Sequence, residues 1–146
     1  MLVANYNRCA EAAPQPGRRE ATGQVRSREL SETTVLVTAT GEIDAASASD
    51  LCAKIERRAA GYRQLVLDLS NVDFFGTAGY SLLHRLHSRC DLAAVDWVLV
   101  AGPEVRRLLR VCDPDGMLPT AANIVSAVAS LARRPYRATQ LRHRLR

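Results

Sequence analysis

Aromatic residues are scarce in this chain: Phe, Tyr and Trp make up 5% of 146 residues, with a single Trp. A core built from this composition is aliphatic, drawn from Leu, Val, Ala and Ile. Lysine is scarcer still, Lys54 being the only one. With it goes the glycine-rich, lysine-bearing loop that cradles nucleotide phosphates. No run approaches the roughly 18 consecutive apolar residues that a membrane helix needs. Residues 1 to 13 have no cationic start followed by an apolar block, so a signal peptide is not expected and the chain reads as cytoplasmic. The four cysteines, Cys9, Cys52, Cys90 and Cys112, contain no C-x-x-C pair. Three fall in helix-like segments beside apolar neighbours, where a free thiol behaves as a small hydrophobe. Reduced thiols are expected rather than disulfides. His84, His87 and Cys90 recur every three residues, but no further ligand stands at a metal-site spacing, so no metal is expected. No Ser-His-Asp, Cys-His or paired-carboxylate arrangement is suggested, which argues against an enzyme. No cofactor is implied.

What is present is 47% apolar residues, enough for one domain with a sizeable core. The net charge is +5. The last fourteen residues carry six arginines and no acid, so the remainder sums to about −1 and is nearly neutral. The chain therefore divides into an arm over 1–22 with no apolar period, a folded domain over 23–132, and an Arg-rich tail over 133–146. No aromatic platform or nucleic-acid motif accompanies the arginines, so direct nucleic-acid binding is not expected.

Within the domain the apolar period alternates between strand and helix. A weak strand over 23–30 and a turn at Ser31-Glu32 lead to a clear strand over 33–40, with Val35, Val37 and Ala39 on one face. Gly41-Glu42-Ile43-Asp44 ends it, and Asp44 is placed to cap a helix whose buried stripe is Ala48, Leu51, Cys52, Ile55 and Ala59. Gly61 stops that helix. Strand 63–69 carries Leu65, Leu67 and Leu69 on one face and Val66 and Asp68 on the other. Asp68 is expected to bond loop amides over 71–77. A helix follows over about 78–89, then a strand over 93–101. Pro103 opens a helix through Val105, Leu108, Leu109 and Cys112. Asp113-Pro114-Asp115-Gly116 is a turn, and 117–120 a short edge strand. A last helix over 121–132 has Ile124, Val125, Val128 and Leu131 as its stripe. This order predicts an α/β domain: a four- to five-stranded mixed sheet packed with about four helices.

The stretch Asp73-Phe74-Phe75-Gly76-Thr77-Ala78-Gly79-Tyr80 joins the strand 63–69 to a helix through small residues. Thr77 is expected as the helix N-cap, its hydroxyl accepting from a first-turn amide. Gly76 and Gly79 allow a sharp turn and a close approach. The exposed patch offered to a partner is expected to comprise Gly76, Thr77, Ala78, Gly79, Tyr80, Ser81, His84 and Arg85. Tyr and Arg are residue types favoured at binding hot spots.

Gly41-Glu42-Ile43-Asp44, then Val66-Leu67-Asp68-Leu69-Ser70-Asn71-Val72-Asp73-Phe74, then a small-residue turn ending in Gly79, resembles the STAS domain. That is the family of anti-sigma-factor antagonists and of the cytoplasmic domains of sulphate transporters. The likeness covers about 24–132. It implies a STAS-like fold and a regulator that binds an anti-sigma factor, a partner with a histidine-kinase-like ATPase fold, and so releases a sigma factor for transcription. The family's turn reads Asp-Ser-Ser-Gly, with its second serine phosphorylated. Here those positions are Gly76, Thr77, Ala78 and Gly79. Ala78 has no hydroxyl, so phosphorylation at that position is not expected, and Thr77 is the one alternative acceptor. As an N-cap its hydroxyl would be engaged, which disfavours that role. The resemblance equally admits an alternative, an accessory subunit of an ABC-type or anion transport assembly.

Overall fold

The computed structural model describes residues 24–134. The arm over 1–22, Cys9, Gly23 and most of the Arg-rich tail lie outside the described residues. Six strands and four helices follow one another as β1 (Gln24–Glu29), β2 (Thr34–Ile43), α1 (Ala48–Ala59), β3 (Gln64–Leu69), β4 (Val72–Phe75), α2 (Thr77–Ala93), β5 (Asp96–Ala101), α3 (Pro103–Cys112), β6 (Thr120–Ala121) and α4 (Ile124–Ala132). The sheet is mixed, in the order β1-β2-β3-β5-β6, with β4 also paired to β2. Only the β1–β2 hairpin is antiparallel. All other pairs are parallel, as β-helix-β connections require. The α/β class and the mixed sheet with four helices are as the sequence implies.

The strand beyond the expected set is β4, which runs along the end of β2. Thr38 pairs with Asp68 of β3, and Gly41 then pairs with Val72 of β4. β4 thus continues along β2 where β3 leaves off. The break between them is a tight turn in which the Asp68 carboxylate accepts from the Ser70 amide at 3.0 Å and the Ser70 hydroxyl at 2.6 Å. Asp68 therefore has the structural role foreseen for it, but its partner is Ser70 rather than an amide of 71–77. β2 is longer than its expected end at residue 40, because Gly41, Glu42 and Ile43 stay in the sheet. The register shifts between Gly41 and Glu42, and Gly41 adopts φ 94°, a bulge conformation suited to glycine.

The two sheet faces carry separate cores. Val35, Val37, Ala39, Leu65, Leu67, Leu69, Trp97 and Leu99 lie on one face under α1, α2 and α3. Leu36, Val66, Val98 and Val100 lie on the other, under Ala127 and Leu131 of α4. β3 and β5 are buried at every position because both their faces are covered. α1 buries Ala48, Leu51, Cys52 and Ile55, the foreseen stripe apart from half-buried Ala59. In α4 the buried residues are Ala127 and Leu131, while Val125 is 79% exposed. The apolar stripe expected there is thus rotated. The helix starts at Ile124 rather than 121, because Asn123 caps it by accepting from the Ser126 amide at 2.8 Å. α2 reaches Ala93, four residues beyond its expected end, and closes on Ala94 at φ 59°. This delays β5 to Asp96.

Gln64 ties the layers at one end of the sheet. It accepts from the Thr34 hydroxyl at 2.7 Å and donates to the Leu131 carbonyl at 3.1 Å. Asp113 accepts from the Met117 and Leu118 amides, which fixes the turn between α3 and β6.

Candidate functional site

The turn between β4 and α2 is assembled from two distant parts of the sequence. The Gly76 amide donates to the Ile43 carbonyl at 3.1 Å, and Ile43 pairs with Phe75 in the sheet. The Gly41-Glu42-Ile43-Asp44 element is thus the backbone cradle of the turn. Its far end is locked in turn. Asp44 Oδ1 accepts from the amides of Ala46 and Ser47, and the Ser47 hydroxyl lies 3.1 Å from the same oxygen. Asp44 therefore holds the loop that leads into α1, and Ser47, not Asp44, occupies the N-cap position.

Gly76, with φ −90° and ψ −175°, is the N-cap of α2, and no side chain caps the helix. Thr77 is the first helical residue. This corrects the expectation that the Thr77 hydroxyl serves as the cap: one position further along the chain, the side chain is exposed and makes no hydrogen bond to the described residues. Gly79 faces inward and is buried. A Cβ there would meet the Phe75 ring at 2.5 Å. Gly79 lets helix and strand approach and adds nothing to the outer surface, contrary to its place in the expected patch. Ala78 and Tyr80 are half-buried against the main core. Thr77, Ser81, His84 and Arg85 are exposed along one side of α2. The Tyr80 and His84 rings lie 6.2 Å apart, tilted by 53°.

Sequence reasoning missed one residue here. Phe74 is 49% exposed, beside Phe75 at 4%. A Cβ on Gly76 would come within 3.2 Å of its Cε2. The sequence signal was a Phe pair before a glycine, these being the chain's two Phe residues. Nothing in that signal says which of Phe74 and Phe75 faces out.

Further along α2 the chemistry is structural. Arg89 pairs with Glu56 of α1 at 3.3 Å. The Cys52 thiol donates to Glu56 at 3.3 Å and is 2% exposed. Burial first, then the hydrogen bond and charge of Glu56, push its pKa up to about 11, against smaller opposing effects of Arg85 and Arg89. Such a thiol is inert. His87 accepts from the Trp97 indole N–H through Nδ1 at 3.0 Å. No cluster of His, Cys, Asp or Glu suited to a metal is found among the described residues. Nor is any of their helices long and apolar enough to cross a membrane.

Comparison with known proteins bears on the family and the fold. A family model described as STAS domain matches residues 26–127. The chain is 40% identical over 101 residues to Osmosensory protein A of Mycobacterium tuberculosis, a match covering 66% of this chain and 64% of that protein. The chain thus spans less than two thirds of that relative. It is 30% identical over 103 residues to the Anti-sigma-F factor antagonist RsfA of the same species, covering 68% of this chain and 80% of RsfA. Among solved structures, an anti-sigma factor antagonist from Mycobacterium paratuberculosis superposes with a TM-score of 0.67 at 23% identity, covering 78% of this chain and 97% of that one. The anti-sigma factor antagonist SpoIIAA in its unphosphorylated form superposes with a TM-score of 0.61 at 16% identity, covering 77% and 99%. These last two likenesses concern the fold.

Proposed function

The chain belongs to the STAS-domain family, among relatives that include anti-sigma-factor antagonists, and on that premise we propose that it works by binding an anti-sigma factor and so releasing a sigma factor for transcription. The partner is a protein with a histidine-kinase-like ATPase fold. The contact surface is the β4–α2 turn with the exposed side of α2: Gly76, Thr77, Ala78, Tyr80, Ser81, His84 and Arg85. The observation that carries this reading is an uncharged turn, with Thr77 exposed, anchored to β2 by the Gly76–Ile43 hydrogen bond. A surface held in place before binding spends little free energy on ordering at contact.

The mode of control differs from the family's usual one. Ala78 stands where the resemblance places the phosphorylated serine, and it offers no oxygen. The acid of the family motif is replaced by Gly76. Thr77 is the turn's one hydroxyl, and the steric objection to its use falls with its loss of the N-cap role. We assign the unmodified turn as the binding form, with Thr77 as the acceptor for any phosphate the partner transfers. A phosphate adds roughly −1.5 to −2 charges at neutral pH and would repel or desolvate a fitted partner. The test is binding and intact mass on the same mixtures of this chain, candidate kinase-like anti-sigma factors and ATP. A complex without mass gain supports the reading. A gain of one phosphate that is absent in Thr77→Val locates the switch. Failure to bind every candidate from the same genome sinks the proposal.

The 40% identity to Osmosensory protein A favours a second reading of the input. In that reading the same surface serves a response to osmotic stress. Stress-dependent complex formation in cells distinguishes it.

A further inference from the structure

We infer that Phe74 is the anchor of the partner surface and that Gly76 is present to position its ring, so that the partner must offer an apolar pocket beside the turn. The inference deepens the proposed function and rests on it. Three observations carry it. First, Phe74 is the large exposed aromatic at this end of the sheet, 49% accessible although its neighbour Phe75 is 4% accessible. Second, its backbone is fixed. Phe74 pairs with Glu42 inside the sheet, so the ring projects from a strand rather than from a loop. Third, the ring leans over Gly76. The site of the missing Cβ lies 3.2 Å from Cε2 and 3.4 Å from Cζ. A Cβ at position 76 would require the ring edge to give way by a few tenths of an ångström.

The departures in the turn then form one pattern. An acid at position 76 would set a charge and a Cβ tight against the Phe74 ring edge. Glycine removes both. Alanine at 78 removes a hydroxyl from the same surface. The turn has become less polar, next to an aromatic ring that is half solvated. Burying the exposed part of that ring is favourable in proportion to the area removed from water. A partner suited to an acidic or phosphorylated turn presents cationic groups at this point. A partner suited to this turn presents an aliphatic or aromatic pocket. The ring thus sets which anti-sigma factor is accepted.

The test is a double-mutant cycle on binding to recombinant kinase-like anti-sigma factors, with urea unfolding of every variant as a check on folding. Phe74→Ala is expected to weaken binding by about 10-fold or more, the scale of an aromatic hot spot. Gly76→Ala is expected to weaken binding roughly 3- to 10-fold with Phe74 present and by less than about 2-fold with Ala at position 74, because its effect passes through the ring. Leu92→Ala, at the opposite end of α2, is expected to leave affinity unchanged. Wild-type binding with Phe74→Ala within about 2-fold of it overturns the anchor while leaving the proposed function standing. Equal effects of Gly76→Ala in both backgrounds overturn the coupling. No wild-type binding to any such partner overturns the proposed function and the anchor together.

Discussion

Gly79 and Phe75 compete for one volume: a Cβ built on Gly79 would lie 2.5 Å from Cε1 of the Phe75 ring. The ring is buried under the first turn of α2, and the absence of a side chain at Gly79 is what lets helix and strand close on each other. Gly79→Ala should therefore destabilise the fold by about 1–3 kcal/mol through overpacking, despite alanine's better helix propensity. Phe75→Leu in the same chain should restore part of the loss. Urea unfolding of the two single variants and the double variant checks this. A second close approach is stricter. A Cβ on Gly102 would lie 2.3 Å from the Ser70 carbonyl oxygen, which is backbone and cannot rotate away. Gly102→Ala should cost more than Gly79→Ala, and the same titrations rank them.

The helix starts at Asn123 and at Thr77 should respond differently to loss of their polar side chains. Asn123→Ala removes the bond to the Ser126 amide and should cost about 1 kcal/mol. Thr77→Val removes a hydroxyl with no bond to the described residues and should stay within about 0.5 kcal/mol of wild type, as surface substitutions do. Thermal or urea unfolding of both variants is sufficient. A large loss in Thr77→Val would mean that its hydroxyl does cap α2.

This contrast shows where the sequence was readable. β2 and α1 were legible from an apolar stripe that repeats, and β3 and β5 from short apolar runs that are buried on both faces. β4 did not. Val72-Asp73-Phe74-Phe75 is buried at its ends and exposed in the middle, so it shows no alternation. Its place in the sheet is set by backbone pairing to the end of β2, a long-range fact. Thr77 was mistaken for the cap because hydroxyl residues favour that position, whereas Gly76 takes it with an extended backbone. In α4, Val125 looks like core by composition but lies outside the covered sector. For the site, the turn and the exposed positions on α2 were legible, while the inward Gly79 and the outward Phe74 required the packing around Phe75.

Gln64 is the polar tie between β2 and α4. Gln64→Leu keeps the volume but leaves the Leu131 carbonyl and the Thr34 hydroxyl without their partner. The expected cost is about 1–3 kcal/mol. Hydrogen exchange should quicken most in the last turn of α4. Uniform quickening across the sheet would contradict the local role.

Alkaline stability should carry the signature of Cys52. Its pKa is raised from 9.0 to about 11, so between those values the folded chain holds a proton that the unfolded chain has released. Stability linked to this thiol is complete below pH 9 and falls as pH rises toward about 11. Tyr62, raised mainly by its hydrogen bond to Glu29, acts in the same direction. The difference between wild type and Cys52→Ala isolates the thiol. The variant should show a shallower decline over this range. Cys52 should also react with iodoacetamide at pH 8 more slowly than half-buried Cys112.

The most direct measurement is a calorimetric titration of this chain into a kinase-like anti-sigma factor, with and without ATP. A saturable complex is expected in the absence of ATP and survives its addition wherever Thr77 stays unmodified. Thr77→Glu, which places a charge at the centre of the turn, should weaken the complex by about 10-fold or more. No heat with any such partner, or full affinity in Thr77→Glu, would contradict a binding surface centred on this turn.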